Sequence, residues 1–110
     1  MTGTLNTYNA RPCDTAELRG QLGIGTILAI SGGRTERILN ETGETVGLRL
    51  PIDGERRVDI VLDWSDTYIV RRVRRVKNGA QRGTDVVEYE RENVYCDEVS
   101  EITYQASVWK

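Results

Sequence analysis

Four arginines and one lysine lie among valines in residues 67–79, TYIVRRVRRVKNG, and these side chains are the first candidates for a binding site. Arginine neutralises phosphates in nucleic-acid complexes. It is also enriched among the residues that dominate the binding energy of protein interfaces. The segment is therefore a candidate contact for nucleic acid or for a protein partner. The alternative is a strand with a charged, solvated face.

The acidic strand that follows helps to decide whether the arginines are a binding site or only a charged, solvated face. The polar, glycine-containing segment after the arginines predicts a hairpin turn, which makes the next strand antiparallel to the arginine strand. Arg71 then falls near Glu90, and Arg75 approaches Asp85 or Glu88. Cross-strand ion pairs of this kind contribute only ~0.2–1 kcal/mol each, but they neutralise the local charge.

Four basic residues are left over by this pairing, and we expect them to be unpaired and to form a narrow basic ridge: Arg72, Arg74, Lys77 and Arg82. For nucleic acid, such a ridge predicts weak binding that falls steeply with salt. For a protein partner, or for self-association into a homo-oligomer, we expect the energetic anchors to be arginine and aromatic side chains. These anchors are Arg72, Arg74, Arg75 and Trp109.

The two tryptophans are the large aromatic residues of this chain, and aromatic side chains are enriched in protein interfaces. Trp64 lies in a predicted turn, and Trp109 lies at the end of the last predicted helix. The alternative is that both cap the core at its edges, because a small domain without Phe must pack with Trp and Tyr.

The residues that most enzymes use are missing. The sequence contains no histidine, which removes the usual general base near neutral pH and the commonest metal ligand. Cys13 and Cys96 are too few for a zinc site, and we interpret both as small apolar residues rather than as a disulfide. Neither a GxxxxGK phosphate loop nor a GxGxxG turn is present. We therefore expect a non-enzymatic protein that uses no metal and no cofactor.

Length and charge limit the class of protein. A chain of 110 residues forms one domain with one core. It has 15 basic and 17 acidic residues, a net charge of −2, so binding to nucleic acid must depend on a local patch. The first residues lack the pattern of a signal peptide, and no segment approaches the ~18 apolar residues of a membrane span. We expect a cytoplasmic protein that does not bind a membrane.

The N-terminal region is predicted to contain a tail and a helix. Residues 1–11 are small and polar without a period, which predicts a flexible tail before a single domain over 12–110. Asp14 can cap a helix, and Gly23 can end it. These residues predict a short helix over 15–22.

A glycine-bounded apolar run follows this helix. TILAIS, residues 26–31, predicts a buried strand because it is short and rich in Ile. Gly32 and Gly33 then predict a hairpin turn that leads into a second strand, RTERILN. Paired glycines before Arg34 can also expose backbone N–H groups to a phosphate, but no helix follows to add its dipole. The hairpin is the simpler interpretation.

The remaining strands are marked by alternation and by polar turns that contain glycine. In RVDIVLD the residues Val58, Ile60 and Leu62 fall on one face. The segments predicted as strands are 46–51, 57–63, 66–77 and 84–91.

The C-terminal segment is predicted to be a helix over 95–107, with Asn93 as its cap. Alternate residues from Ile102 to Val108 also fit a strand, but a longer stripe with helical spacing favours the helix. The residues of this stripe are Tyr95, Val99, Ile102, Ala106 and Trp109. The acidic residues on the other side have the pattern of a solvated helix face rather than of a metal site. The predicted fold is α+β: an antiparallel sheet of five or six strands with a short N-terminal helix and a C-terminal helix on one face.

Four blocks carry a resemblance to a family of small proteins from bacteriophages, prophages and mobile elements. The blocks are QLGIGTILAISGGR, LRLP, DTYIVRRVRR and NVYCDEVSEITYQAS. The resemblance covers about residues 17–107. It implies a phage or prophage origin, expression in a bacterial cytoplasm, a helical C-terminal segment and an accessory role, and it brings no activity, cofactor or catalytic residue with it.

Overall fold

The computed structural model of this chain describes residues 10–109. In chain order its elements are α1 (Thr15–Leu22), α2 (Ile24–Ser31), β1 (Glu36–Leu39), β2 (Thr45–Pro51), β3 (Arg56–Leu62), β4 (Tyr68–Arg75), β5 (Asp85–Val94) and α3 (Val99–Ser107). The strands form one antiparallel sheet in the order β1-β2-β3-β4-β5, so each strand pairs with its neighbour in sequence. The predicted α+β class is confirmed, with five strands in the sheet.

The helices cover one face of the sheet, which we call the helix face, and the other face we call the open face. The main core lies between the helices and the helix face. Its helical members include Leu18, Leu22, Ile27, Ile30, Ile102 and Ala106, and its strand members include Leu48, Leu50, Val58, Ile60 and Val70. Val58 and Ile60 are buried on the helix face and Leu62 packs against this core, which confirms the predicted alternation. No helix among residues 10–109 is long and apolar enough to cross a membrane.

A smaller core on the open face holds the beginning of the described chain. Ala10 is buried there beside Ile38, Val46 and Val61. The backbone N–H of Arg11 donates to the carbonyl of Leu62 at 3.1 Å. The prediction of a flexible tail is therefore wrong for residues 10 and 11, and the rest of that predicted segment, residues 1–9, lies outside the described residues.

The first helix is capped as the sequence predicts. The Asp14 carboxylate accepts hydrogen bonds from the backbone N–H groups of Ala16 and Glu17 at 3.0 and 3.2 Å. Gly23 ends α1 with a φ angle of 83°, and its N–H donates to the carbonyl of Arg19. The predicted helix over 15–22 is confirmed.

The strand predicted for residues 26–31 is wrong, because these residues belong to α2. Ile27 and Ile30, three residues apart, are both buried against the main core, as the period of a helix requires. Gly32 ends the helix in the left-handed conformation, with a φ angle of 67°. The hairpin predicted at Gly32 and Gly33 is therefore also wrong, and the two glycines lead from α2 towards β1.

A bulge in β2 depends on Gly47. Ile38 of β1 is opposite Gly47, while Leu39 is opposite Thr45, so Val46 is an extra residue in the ladder. A Cβ atom at Gly47 would lie 1.9 Å from the backbone oxygen of Ile60. Because no other residue fits there, the bulge requires glycine.

The last helix begins later than predicted. α3 starts at Val99 with Glu98 as its N-cap residue, and residues 95–98 form a turn. The prediction of Asn93 as the cap is wrong, since Asn93 lies within β5 with a φ angle of 57°. The fully buried side chain of Val94 explains the difference, because β5 extends far enough to place it in the main core.

Candidate binding site

The arginine-rich segment forms β4, a strand next to the edge of the sheet. Arg71 is directly opposite Glu90 of β5, and the two side chains form an ion pair. Arg75 is opposite Asp85, and its Nε lies 3.3 Å from Asp85 Oδ1. Both cross-strand pairs predicted from the sequence are confirmed.

The expectation that Arg72 and Arg74 are unpaired is wrong. Glu88 accepts from Arg72 Nε at 3.0 Å and from Arg74 Nε at 3.2 Å. Arg56 of β3 donates its Nε to the same carboxylate at 3.1 Å. The cause is a register shift in β5 between the partners of Arg72 and Val73, which makes Glu88 an extra residue on the helix face.

Arg72 also closes the end of α3. Its Nη1 atom donates to the backbone oxygens of Ala106 at 3.3 Å, Ser107 at 3.0 Å and Trp109 at 2.8 Å. The last carbonyls of a helix have no partner within the helix, and a cation there also interacts favourably with the helix dipole. Arg72 is therefore fixed between β5 and α3.

Trp109 joins this cluster through its side chain. The centroid of its ring is 4.7 Å from that of Tyr89, and the ring planes are tilted by 46°. The residue is still 48% exposed. A cavity of about 350 Å³ lies beside it, lined by Arg56, Arg72, Glu88 and Trp109, and we call it the arginine–tryptophan cavity. The structure thus brings together three of the predicted contact residues: Arg72, Arg74 and Trp109.

The other predicted contact residues lie elsewhere. Arg75 points to the open face, where it pairs with Asp85. Lys77 is exposed, and its Nζ atom is close to Gly54 in the turn between β2 and β3. Arg82 is exposed in the turn between β4 and β5. The predicted residues therefore do not form one continuous ridge.

Arg72 and Arg56 lower the pKa of Glu88. Desolvation by burial acts to raise the pKa of Glu88, but the hydrogen bonds from Arg72 and Arg56 outweigh it and hold the pKa below the ordinary value of 4.5. Arg56 also lies 3.9 Å from Asp53, so three guanidinium groups face two carboxylates and the cluster carries one excess positive charge.

The open face carries a separate network that we call the arginine–aspartate ladder: Arg49, Asp59, Arg57, Asp85 and Arg75. Arg49 binds Asp59 with two hydrogen bonds of 2.8 and 3.0 Å. Arg57 lies between the two aspartates, 3.4 Å from Asp59 and 3.1 Å from Asp85. The side chains of both aspartates are fully buried. Sequence analysis missed this ladder, although one signal was present: Asp59 stands between apolar residues in the middle of a strand.

A cleft of about 410 Å³ lies beside the ladder, and all three arginines of the ladder line it. Its lining includes Arg34, Arg49, Arg56, Arg57 and Arg75, and also Glu36, Asp53 and Glu55. Together with the two aspartates of the ladder, these acidic residues balance the five arginines. Hydrogen bonds from the backbone N–H groups of Glu55 and Arg56 lower the pKa of Asp53. The cleft is therefore polar but has no excess charge that would favour an anion.

The outward side of α2 is apolar, in contrast to the polar cleft. Ile24 is 70% exposed and Leu28 is 54% exposed, and Gly25 and Ala29 next to them are exposed as well. We call these four residues the α2 surface. The helix contains no charged residue. Sequence analysis missed this surface because it assigned the segment to a buried strand.

The neighbouring helix extends the exposed apolar area. Thr26 of α2 and Ser100 of α3 share a hydrogen bond of 2.7 Å between their hydroxyl groups. Tyr104, one turn after Ser100, is exposed, and so is Val108. The helical layer therefore presents apolar side chains from both α2 and α3 to solvent.

Cys13 and Tyr68 could act as a nucleophile or a base, but their surroundings raise the pKa of both groups. Burial, with smaller contributions from Asp14 and Glu17, raises the pKa of Cys13 to about 11. Burial also raises the pKa of Tyr68 to about 12, and its hydroxyl donates to Gln21 Oε1 at 2.7 Å. Within residues 10–109, no three His, Cys, Asp or Glu residues are grouped to hold a metal ion.

Comparison of the chain with protein-family models, with curated proteins and with solved structures gives no match in any of the three. The argument for function therefore depends on the surfaces and the cavity described above.

Proposed function

We propose that this chain is a non-enzymatic binding protein that associates with another protein, or with a second copy of itself, through the α2 surface. The observation that carries this proposal is an eight-residue surface helix with no charged side chain and with Ile24 and Leu28 projecting into solvent. Contiguous exposed apolar surface of this kind marks interaction sites in proteins.

The energetics of the α2 surface favour a partner. Full burial of a Leu or Ile side chain contributes about 1.5–3 kcal/mol relative to exposure. Gly25 and Ala29 are small, so a partner can approach the helix backbone closely beside the two large side chains. An uncharged face also removes the cost of desolvating charges when the partner binds. A second copy of α2 offers a face of the same character, which makes self-association the first case to test.

The setting of this activity is also part of the proposal. The resemblance of four sequence blocks to small phage and mobile-element proteins supports a phage or prophage origin. It also supports an accessory role in a bacterial cytoplasm. In such a role the chain would act by covering a surface of its partner rather than by chemistry.

The test compares the wild-type chain with Ile24→Glu and Leu28→Glu in sedimentation velocity over a wide range of concentration. We expect the wild type to form a dimer as concentration rises, and both variants to stay monomeric with an unchanged fold. Leu39→Glu is the matched control, because Leu39 is a large exposed apolar residue on β1 rather than on α2. This control should dimerise like the wild type.

A second experiment tests whether the partner is a different protein. Immobilised wild-type chain and immobilised Leu28→Glu chain are exposed to the same bacterial extract. A partner of the α2 surface is retained by the wild type and lost by the variant. A strictly monomeric wild type, together with identical retained proteins in both arms, would overturn the proposal.

A further inference from the structure

We propose that the arginine–tryptophan cavity binds a planar aromatic group that carries a phosphate, supplied by a free nucleotide or by a single-stranded nucleic acid. The two sources share the same chemistry, a base that stacks and a phosphate that pairs with arginine. The site is independent of the α2 surface, because none of its residues belongs to α2.

The charge of the cluster favours a phosphate. Arg56, Arg72 and Arg74 share the carboxylate of Glu88, and Arg56 Nη1 also lies 3.9 Å from Asp53 Oδ2, so three cations face two carboxylates. A guanidinium group has five N–H donors, and Arg74 uses Nε for Glu88. The side chain of Arg74 is 33% exposed and that of Arg56 is 32% exposed. Arg56 lines the cavity and can therefore turn further donors towards a phosphate while it keeps Glu88 as a partner.

The aromatic part of the site is Trp109. Tyr89 packs against the indole at 4.7 Å between centroids, so the indole is supported, and about half of the residue is still exposed. Bases stack on aromatic side chains of this kind in proteins that bind single strands, with little preference for sequence. The cavity volume of about 350 Å³ is within the usual range for a small-molecule site.

The site is held in place before a ligand arrives. The hydrogen bond from Arg72 to the Trp109 carbonyl attaches the residue that carries the indole to the arginine cluster. Arg72 itself is held by Glu88 and by the end of α3. A preorganised site loses less conformational freedom when it binds, which favours affinity.

The experiment measures binding by titration calorimetry at low salt with three probes: AMP, adenosine and ribose 5-phosphate. We expect AMP to bind, and adenosine and ribose 5-phosphate to bind more weakly, because each lacks one half of the recognised group. Trp109→Leu should weaken AMP binding at least about fivefold, the lower end of the effect of one stacked base. Arg56→Gln, at an arginine that lines the cavity, should also weaken it, while the affinity for adenosine stays unchanged.

The controls are Trp64→Leu and Arg37→Gln, which replace an exposed tryptophan and an exposed arginine outside the cavity. Both should bind AMP like the wild type. Equal affinities for AMP and ribose 5-phosphate would overturn the proposal, and so would a Trp109→Leu variant that binds AMP like the wild type. Ile24→Glu should bind AMP normally, so failure of the α2 proposal and failure of this one are distinguishable.

A last arm identifies the source of the ligand, by the same measurement with a short single-stranded oligonucleotide. Tighter binding of the oligonucleotide than of AMP, lost in Trp109→Leu, would support the site and assign it to a nucleic-acid strand. Tighter binding of AMP, lost in the same variant, would support the site and assign it to a free nucleotide. Absence of binding by both probes at low salt would overturn it.

Discussion

The guanidinium group of Arg72 donates a hydrogen bond of 2.8 Å to the backbone oxygen of Trp109. This bond connects the middle of β4 with the last described residue of the chain. In the sequence Arg72 looks like a surface residue. Its bond to Trp109 and two further hydrogen bonds to the end of α3 make it a cap of that helix.

Substitution of Arg72 by Gln is expected to destabilise the fold by about 2 kcal/mol, the usual range for hydrogen bonds that involve a charged group. Glu88 keeps Arg56 and Arg74 as partners, so the loss comes mainly from the end of α3. Urea denaturation measures the free energy of unfolding. Arg82→Gln, at an exposed turn, is the control and should change it by less than about 0.5 kcal/mol. Equal effects of the two variants would contradict the capping role.

Substitution of Asp85 by Asn removes a buried carboxylate that holds two arginines. Arg57 and Arg75 then lose their shared partner on the open face. Arg57 keeps Asp59 as a partner and the Arg75 side chain is 43% exposed, so neither arginine is left as a buried, uncompensated charge. We therefore expect a loss of about 1.5–3 kcal/mol, the range for hydrogen bonds to a charged group. The measurement is the midpoint of denaturation, compared with Asp97→Asn in an exposed turn. A loss as small as that of Asp97→Asn would mean that the ladder contributes little to stability.

Two glycines should respond in opposite directions to alanine. At Gly47 a Cβ atom meets backbone at 1.9 Å, so Gly47→Ala should destabilise the chain by about 3 kcal/mol. At Gly20, in α1, a Cβ atom has nothing within 4 Å. Gly20→Ala should therefore stabilise the chain by about 0.5–1 kcal/mol, since alanine favours the helix. Thermal unfolding of both variants tests the pair, and stabilisation by both would contradict the close approach of the β3 backbone to Gly47.

The acid stability of the chain should depend on Glu88. Its pKa in the folded state lies below the ordinary value of 4.5. The charged form is therefore favoured by folding, and this contribution is complete above the unfolded pKa and is lost as the pH falls through the folded pKa. We expect wild type and Glu88→Gln to differ most in unfolding free energy near neutral pH and to converge in acid. A difference that stays constant down to the acid range would contradict this assignment.

Local signals in the sequence predicted the parts of the fold that local interactions determine. Asp14 predicted the start of α1, because a cap needs only the next few residues. The alternation of apolar residues in β3 predicted its buried face, because this pattern also depends only on residues close in sequence. The segment of α2 was wrongly predicted as a strand, because an apolar run of that length fits a helix as well as a strand. The packing of Ile27 and Ile30 decides between the two.

Of the residues that line the arginine–tryptophan cavity, Arg72 and Trp109 were candidates from the sequence, whereas Arg56 and Glu88 were not. The cross-strand pair of Arg71 and Glu90 follows from a regular register, and it is present. The pairing of Arg72 and Arg74 with Glu88 requires a bulge, which moves one residue of β5 to the other face and leaves no clear signal in the sequence. The contact with Trp109 depends on the path of α3, which only the packed core determines.

The helical layer combines elements from the two ends of the described chain. α1 and α2 precede the sheet, while α3 follows it, and the Ser100 hydroxyl bonds to the carbonyl of Leu22 at 2.7 Å. During synthesis, the strands can pair one after another as they leave the ribosome, since each pairs with its neighbour in sequence. The apolar face under α3 stays uncovered until the last helix emerges, so a nascent chain stalled before Val99 is expected to need a chaperone.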